Sequence, residues 1–226
     1  MFFDPLYWVV IGIGFVVSLA ANRWVESRVQ KWSQYSLDSG MTGREVAQSI
    51  LDARGVTDVG IERASGMFSD HYDPSDRTLR LSDEVYDERT VTAAGIAAHE
   101  VGHAIQHQEG YAPMTIRQKS VPVAKIGTNL GVWMIIGGLI IGLTGLAKVG
   151  VALFGGFVAF TLITLPVEFD ASSRAKQVLD EQNLVTREEL DGVSEVLNAA
   201  ASTYLAAALT AILQLLYWLS IVYGRE

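Results

Sequence analysis

The chain has 226 residues, no cysteine, a formal net charge of −8, 50% hydrophobic residues and a mean hydropathy of +0.26. That is too apolar for an ordinary soluble domain and points to a membrane protein. The acidic balance and the lack of a basic patch argue against a nucleic-acid partner. Without thiols, only His, Asp, Glu and water could hold a metal.

The first apolar run is Leu6–Ala21, extended by Phe2 and Phe3. It reaches the roughly 20 residues needed to cross a bilayer. No Lys or Arg precedes it, whereas Arg23, Arg28 and Lys31 follow. This reads as an uncleaved anchor with its N-terminus outside and its C-terminal end in the cytoplasm.

A polar part follows, from Asn22 to about Lys125. Gln30–Ser39 is expected to be a helix leaving the membrane. Thr42-Gly43-Arg44-Glu45 has the pattern of a capping box. The amphipathic run Val46, Ala47, Ile50 and Leu51 comes next, with a stop at Gly55. Val56–Arg63 and Thr78–Ser82 read as two short strands; Leu79 and Leu81 alternate with Thr78, Arg80 and Ser82, the pattern of a half-buried strand. The segment Asp70–Asp76 between them is rich in turn residues. A short helix is expected to open over Ser82–Tyr86.

Val91–Gln108 has the length and alanine content of a helix and contains His99-Glu100-Val101-Gly102-His103. Two histidines four apart lie one turn apart on one helical face, so both imidazoles can reach one zinc ion. The glutamate between them is placed to take a proton from water beside the metal. Glu100 is thus the candidate catalytic base, and His99 and His103 are candidate ligands of one Zn2+ per chain. His107 reads as a structural residue or one supporting the ligands. His71 reads as a loop residue or a transition-state contact.

Ile126–Leu146 is the second apolar span, with Ala147-Lys148 as the turn into the third, Val149–Val167. Pro166 is expected to kink the third span near its end. A charged helical stretch runs from Glu168 to about Asn198, and Tyr204–Tyr223 is the fourth span. Counting crossings puts 23–125 and 168–200 in the cytoplasm, with only Lys148 and Arg225 among the basic residues outside. Glu168, at the cytoplasmic end of the third span, is then the candidate third ligand, because two His and one Glu are a common catalytic zinc set. Asp170 is expected to point away.

The expected fold is a mainly α integral membrane protein. It has four transmembrane helices (6–22, 126–146, 149–167 and 204–223) and a cytoplasmic α+β zincin-like part with a short β-hairpin. The chain is expected to form one unit in the inner membrane, with no internal repeat. The expected activity is zinc-dependent hydrolysis of polypeptides. Leu79, Arg80 and Leu81 would pair with an extended substrate, and His71, Tyr72 or Arg174 would stabilise the oxyanion. A competing reading is an inactive membrane adaptor or chaperone stapled by zinc. A transporter using Glu168 as an intramembrane ionisable site is weaker, because no other acid or base lies within the expected spans.

The run from His99 to His107, preceded by Ser69-Asp70-His71-Tyr72-Asp73-Pro74, resembles the bacterial neutral zinc metallopeptidase family of membrane proteins, the YugP-type membrane proteases. More distantly it is similar to the HtpX-like and CAAX prenyl proteases. The resemblance implies peptide hydrolysis at the cytoplasmic face in protein quality control, with a glutamate ligand in a pattern like E-x-x-A-D. The matching residues are Glu168, Phe169, Asp170, Ala171 and Ser172. Ser172 stands where the relatives carry an acid that orients a ligand histidine, and a hydroxyl supplies no charge there.

Overall fold

The computed structural model describes residues 4–66 and 69–224. Phe2, Phe3 and Arg225, which the sequence places at the ends of the outer spans, lie outside the described residues. The elements in order are α1 (Pro5–Trp32), α2 (Gly43–Ala53), β1 (Gly60–Ala64), β2 (His71–Asp73), β3 (Thr78–Ser82), α3 (Asp83–Asp87), α4 (Val91–Gln108) and α5 (Ala112–Ile126). A π-helical turn at Gly127–Gly131 leads into α6 (Val132–Ile140), followed by α7 (Thr144–Glu181) and α8 (Arg187–Tyr223). The fold is mainly helical with one small mixed sheet.

Four helical stretches are long and apolar enough to cross a membrane: Pro5–Trp32, Ala112–Ile140, Thr144–Glu181 and Arg187–Tyr223. The chain divides into two compact units. One comprises Met1–Asn22, Thr115–Pro166 and Ser202–Glu226, and the other Arg23–Met114 and Val167–Ala201.

The first unit packs around Val10, Ile135, Val151, Phe154, Tyr217 and Trp218. It exposes Leu6, Phe15, Trp133, Ile140 and Ile141. An apolar surface of that kind suits hydrocarbon and would be an aggregation liability in water. The connection between α6 and α7 lies at residues 141–143, where Gly142 takes a φ of +72°, and not at Ala147-Lys148. The sequence expectation failed there because Ile140, Ile141 and Leu143 keep the turn as hydrophobic as the spans. Ala147 is buried inside α7, and a Cβ on Gly138 would lie 2.6 Å from the Ala147 nitrogen. Gly138 thus lets two backbones approach, while Gly142 supplies a turn.

The second unit carries the mixed sheet and α4. Thr42 caps α2 as expected. Its hydroxyl accepts from the Glu45 amide at 3.2 Å, and the Glu45 carboxylate accepts from the Thr42 amide at 2.8 Å. Helix α2 buries Val46, Ala47, Ile50 and Leu51 and ends beside Gly55 at φ +67°. Helix α1 stops at Trp32, so the helix expected through Ser39 is absent. Ser36 instead forms an isolated bridge to Thr90, which leads into α4.

The sheet has the order β1-β3-β2. The two expected strands are both present but pair in parallel, Gly60 opposite Thr78 through Ala64 opposite Ser82, and the short hairpin is formed by β2 and β3. The turn-rich segment between them supplies the missing strand, β2, which pairs antiparallel with β3. A parallel pair needs a crossover of appreciable length, and residues 65–77 provide it. Leu79 and Leu81, on the central strand, are fully buried in the core with Val46, Ile50, Leu51, Val101 and Leu179. Gly102 allows α4 and α7 to meet, since a Cβ there would sit 2.6 Å from the Ala171 carbonyl oxygen.

Candidate metal centre

The site is built on the crossing of α4 and α7. His99 and His103 leave one face of α4, and Glu168 leaves α7 three residues before Ala171. His99 Nε2 lies 3.3 Å from Glu168 Oε2, and His103 Nε2 lies 3.5 Å from the same oxygen. The three donor atoms all fall within 4.8 Å of one another. A tetrahedral zinc with ligands at about 2.0–2.1 Å holds them about 3.3–3.4 Å apart, so the observed separations suit such an ion. Glu168 is 2% exposed and His103 7% exposed, which limits competition from water.

The surroundings fix which imidazole nitrogen faces inward. Gln106 is fully buried. Its side-chain amide donates to the Val167 carbonyl at 2.8 Å and to Asp170 Oδ2 at 2.7 Å. Both partners only accept, so the amide group cannot be flipped. Gln106 Oε1 must then accept from His103 Nδ1–H, 3.0 Å away. In neutral His103 this leaves Nε2 bare and aimed at a carboxylate. A lone pair facing an anion calls for a cation between them, either a proton or a metal ion. The donor set therefore fits zinc. With only the proton present, burial opposes the charged imidazolium of His103, but Glu168 and Glu100 outweigh it and raise the pKa.

On the other candidate ligand, His99 Nδ1 contacts Ser172 Oγ at 3.1 Å. Ser172 thus occupies the orienting position without an acid's charge. Asp170 contributes one step removed: it receives Gln106 and also accepts from Arg174 Nε at 2.5 Å. Gln106 escaped the sequence reading. Its signal was a polar residue three positions past His103, on the same face of an otherwise apolar helix.

Glu100 lies beside the three donors but outside their cluster. Its Oε2 accepts from the Tyr72 amide at 3.0 Å, and Oε1 has no hydrogen-bond partner among the described residues. Tyr72 also reaches His107, with its hydroxyl 2.8 Å from Nδ1. Burial foremost, with help from Asp73 and Asp76, pushes the Tyr72 phenol up to about 12. Tyr72 therefore keeps its proton and ties β2 to α4 through His107.

The remaining expected contacts fare differently. Leu79 and Leu81 cannot pair with a substrate, because β3 is flanked on both sides by β1 and β2. Arg80 lies among Asp76, Asp73 and Glu62. Arg174 is engaged by Asp170 and by Glu109 at 2.6 Å, which ties it into the Gln106 network. His71 is exposed, with Nδ1 2.7 Å from the Ser69 carbonyl.

Among the described residues, four helices long and apolar enough to cross a membrane and a His-His-Glu cluster that could hold a metal ion point to the class of membrane proteins with a zinc-type donor set. The chain belongs to the family described as "Putative neutral zinc metallopeptidase", whose model matches residues 7–223. It is 43% identical over 216 residues to "Putative membrane protease YugP" of Bacillus subtilis (strain 168), an alignment that covers 93% of this chain and 96% of the relative. No solved structure matches it.

Proposed function

We propose that this protein is a zinc-dependent endopeptidase of membrane or membrane-associated polypeptides, with His99, His103 and Glu168 holding the metal and Glu100 acting as general base. The observation that carries the reading is the convergence of three donor atoms, those of His103 and Glu168 buried and that of His99 half-buried, beside a carboxylate with one oxygen fixed. Zinc, when bound, supplies Lewis-acid polarisation of a peptide carbonyl and of water. The Tyr72 amide holds Glu100 Oε2 and leaves Oε1 for proton transfer. Oε1 takes a proton from the attacking water and returns it to the leaving amine. Gln106 and Ser172 keep the two imidazoles turned so that Nε2 faces inward.

Three donors, with no fourth His, Asp or Glu joining the cluster among the described residues, suit a catalytic site better than a closed structural staple. The helix-and-sheet arrangement of the second unit supports a zincin-like reading. Arg23, Arg28 and Lys31 immediately after the first apolar run support a cytoplasmic active site in the inner membrane. A role in protein quality control follows from the family resemblance.

The test uses full-length protein purified without chelator. Glu100→Gln should retain one zinc per chain and lose cleavage of an unfolded membrane substrate. Turnover equal to wild type in that variant would falsify the mechanism.

A further inference from the structure

A cavity of about 150 Å³ lies beside the N-terminal half of α4. Its walls include Val29, Val85, Ala93 and Ile96, and its polar lining includes Asp70, Glu84 and Glu88. Ile96 sits one helical turn before Glu100 and three residues before His99, so the cavity follows the same face of α4 as the metal cluster. Asp70 is two residues before Tyr72, whose amide holds Glu100.

The lining is one-sided in charge: it contains three carboxylates and no Lys or Arg. Arg63 is engaged by Asp83 and Asp87. Neither Glu84 nor Glu88 has a side-chain hydrogen-bond or ion-pair partner among the described residues. Asp70 is deeper and accepts from the Ser82 amide at 2.7 Å and the Ser82 hydroxyl at 3.0 Å. Burial, foremost, raises its carboxyl above the usual range, with Glu100 adding in the same direction. A cation arriving there would relieve both costs. Apolar walls leading to carboxylates suit a side chain with a long hydrocarbon stem and a positive tip.

We propose that this cavity is a side-chain subsite of the peptidase site and selects lysine or arginine in the substrate. The inference rests on the peptidase reading above. It adds that specificity comes from Glu84 in α3, Glu88 just after it and Asp70 before β2, with Ala93 and Ile96 forming the wall.

The test uses full-length, zinc-loaded protein in detergent and a set of labelled peptides. The peptides carry lysine, norleucine or glutamate at each position in turn. Binding is read by fluorescence anisotropy on Glu100→Gln, and cleavage by mass spectrometry on wild type. Lysine should be favoured over norleucine at one position by about fivefold or more in both readouts. That ratio should collapse in the double variant Glu84→Gln/Glu88→Gln, whose sites are exposed. It should persist in Glu188→Gln/Asp191→Asn, which removes the same charge elsewhere on the surface.

Absence of a basic preference at every position would overturn the inference. So would equal loss of the preference in both double variants, which would trace it to net charge alone. Lysine-selective binding that depends on Glu84 and Glu88 without any cleavage would sustain the subsite and sink the peptidase reading. Cleavage without lysine preference would do the reverse.

Discussion

Replacing Gln106 with leucine keeps roughly the side chain's size while removing three hydrogen bonds of 2.7–3.0 Å. Asp170 keeps Arg174 as a partner, and His103 Nδ1 and the Val167 carbonyl lose the contact with Gln106. The Val167 carbonyl keeps its bond within α7, so His103 Nδ1 is the group left unsatisfied, and about 1–3 kcal/mol of stability should be lost. His103 also becomes free to rotate or to change tautomer. Loss of a group that orients a metal ligand typically costs about 10–100-fold in affinity. Zinc affinity, read by competition with a chromophoric chelator, should fall within that range, and thermal unfolding should shift downward with and without zinc. Gln106→Glu is the informative companion, because it keeps the acceptor for His103 but sets a second carboxylate against Asp170. Zinc affinity within about threefold of wild type in Gln106→Leu would refute the claim that Gln106 fixes His103.

Three further outcomes follow from the same geometry. Ser172→Ala should weaken zinc by less than Gln106→Leu, because His99 is more exposed than His103 and water can reach Nδ1; a larger loss than in Gln106→Leu would contradict this ranking. Gly102→Ala drives a methyl to 2.6 Å from the Ala171 carbonyl oxygen, so α4 must move off α7. The overpacking should cost about 1–3 kcal/mol and lower zinc affinity, which chemical denaturation and the chelator titration would report. Zinc-free protein should be more stable near pH 6 than near pH 8. The raised His103 pKa contributes stability that is fully present below the ordinary imidazole range and is lost as pH rises through the folded pKa. Zinc binding should show the opposite trend, weakening on acidification because a proton competes for Nε2; melting curves at the two pH values that do not differ would count against the charged pair.

Parts of this architecture were legible because they depend on neighbours in sequence. Four apolar runs report their own length. The capping box at Thr42 and the stop at Gly55 are set by backbone groups within a turn. His99, Glu100 and His103 share a face through helical periodicity alone. Glu168 could be paired with them by counting crossings, since a carboxylate at the end of an apolar run has few places to go.

Other parts depend on what packs against what, and periodicity carries no record of that. Alternation marked Thr78–Ser82 as a strand, but only the crossover of residues 65–77 makes its pairing with β1 parallel and buries Leu79 and Leu81. The α6–α7 turn was hidden because Ile141 and Leu143 are as apolar as the helices they join. Gln106, Ser172 and Asp170 acquire their roles where Gly102 lets α4 approach the α7 backbone. The local sequence thus specified donors on one helix and a carboxylate on another. The packing of α4 on α7 determined which nitrogen of each imidazole faces that carboxylate, because holding a ring in one orientation requires a hydrogen-bond partner, and those partners came from across the helix crossing or from a side chain pinned by it.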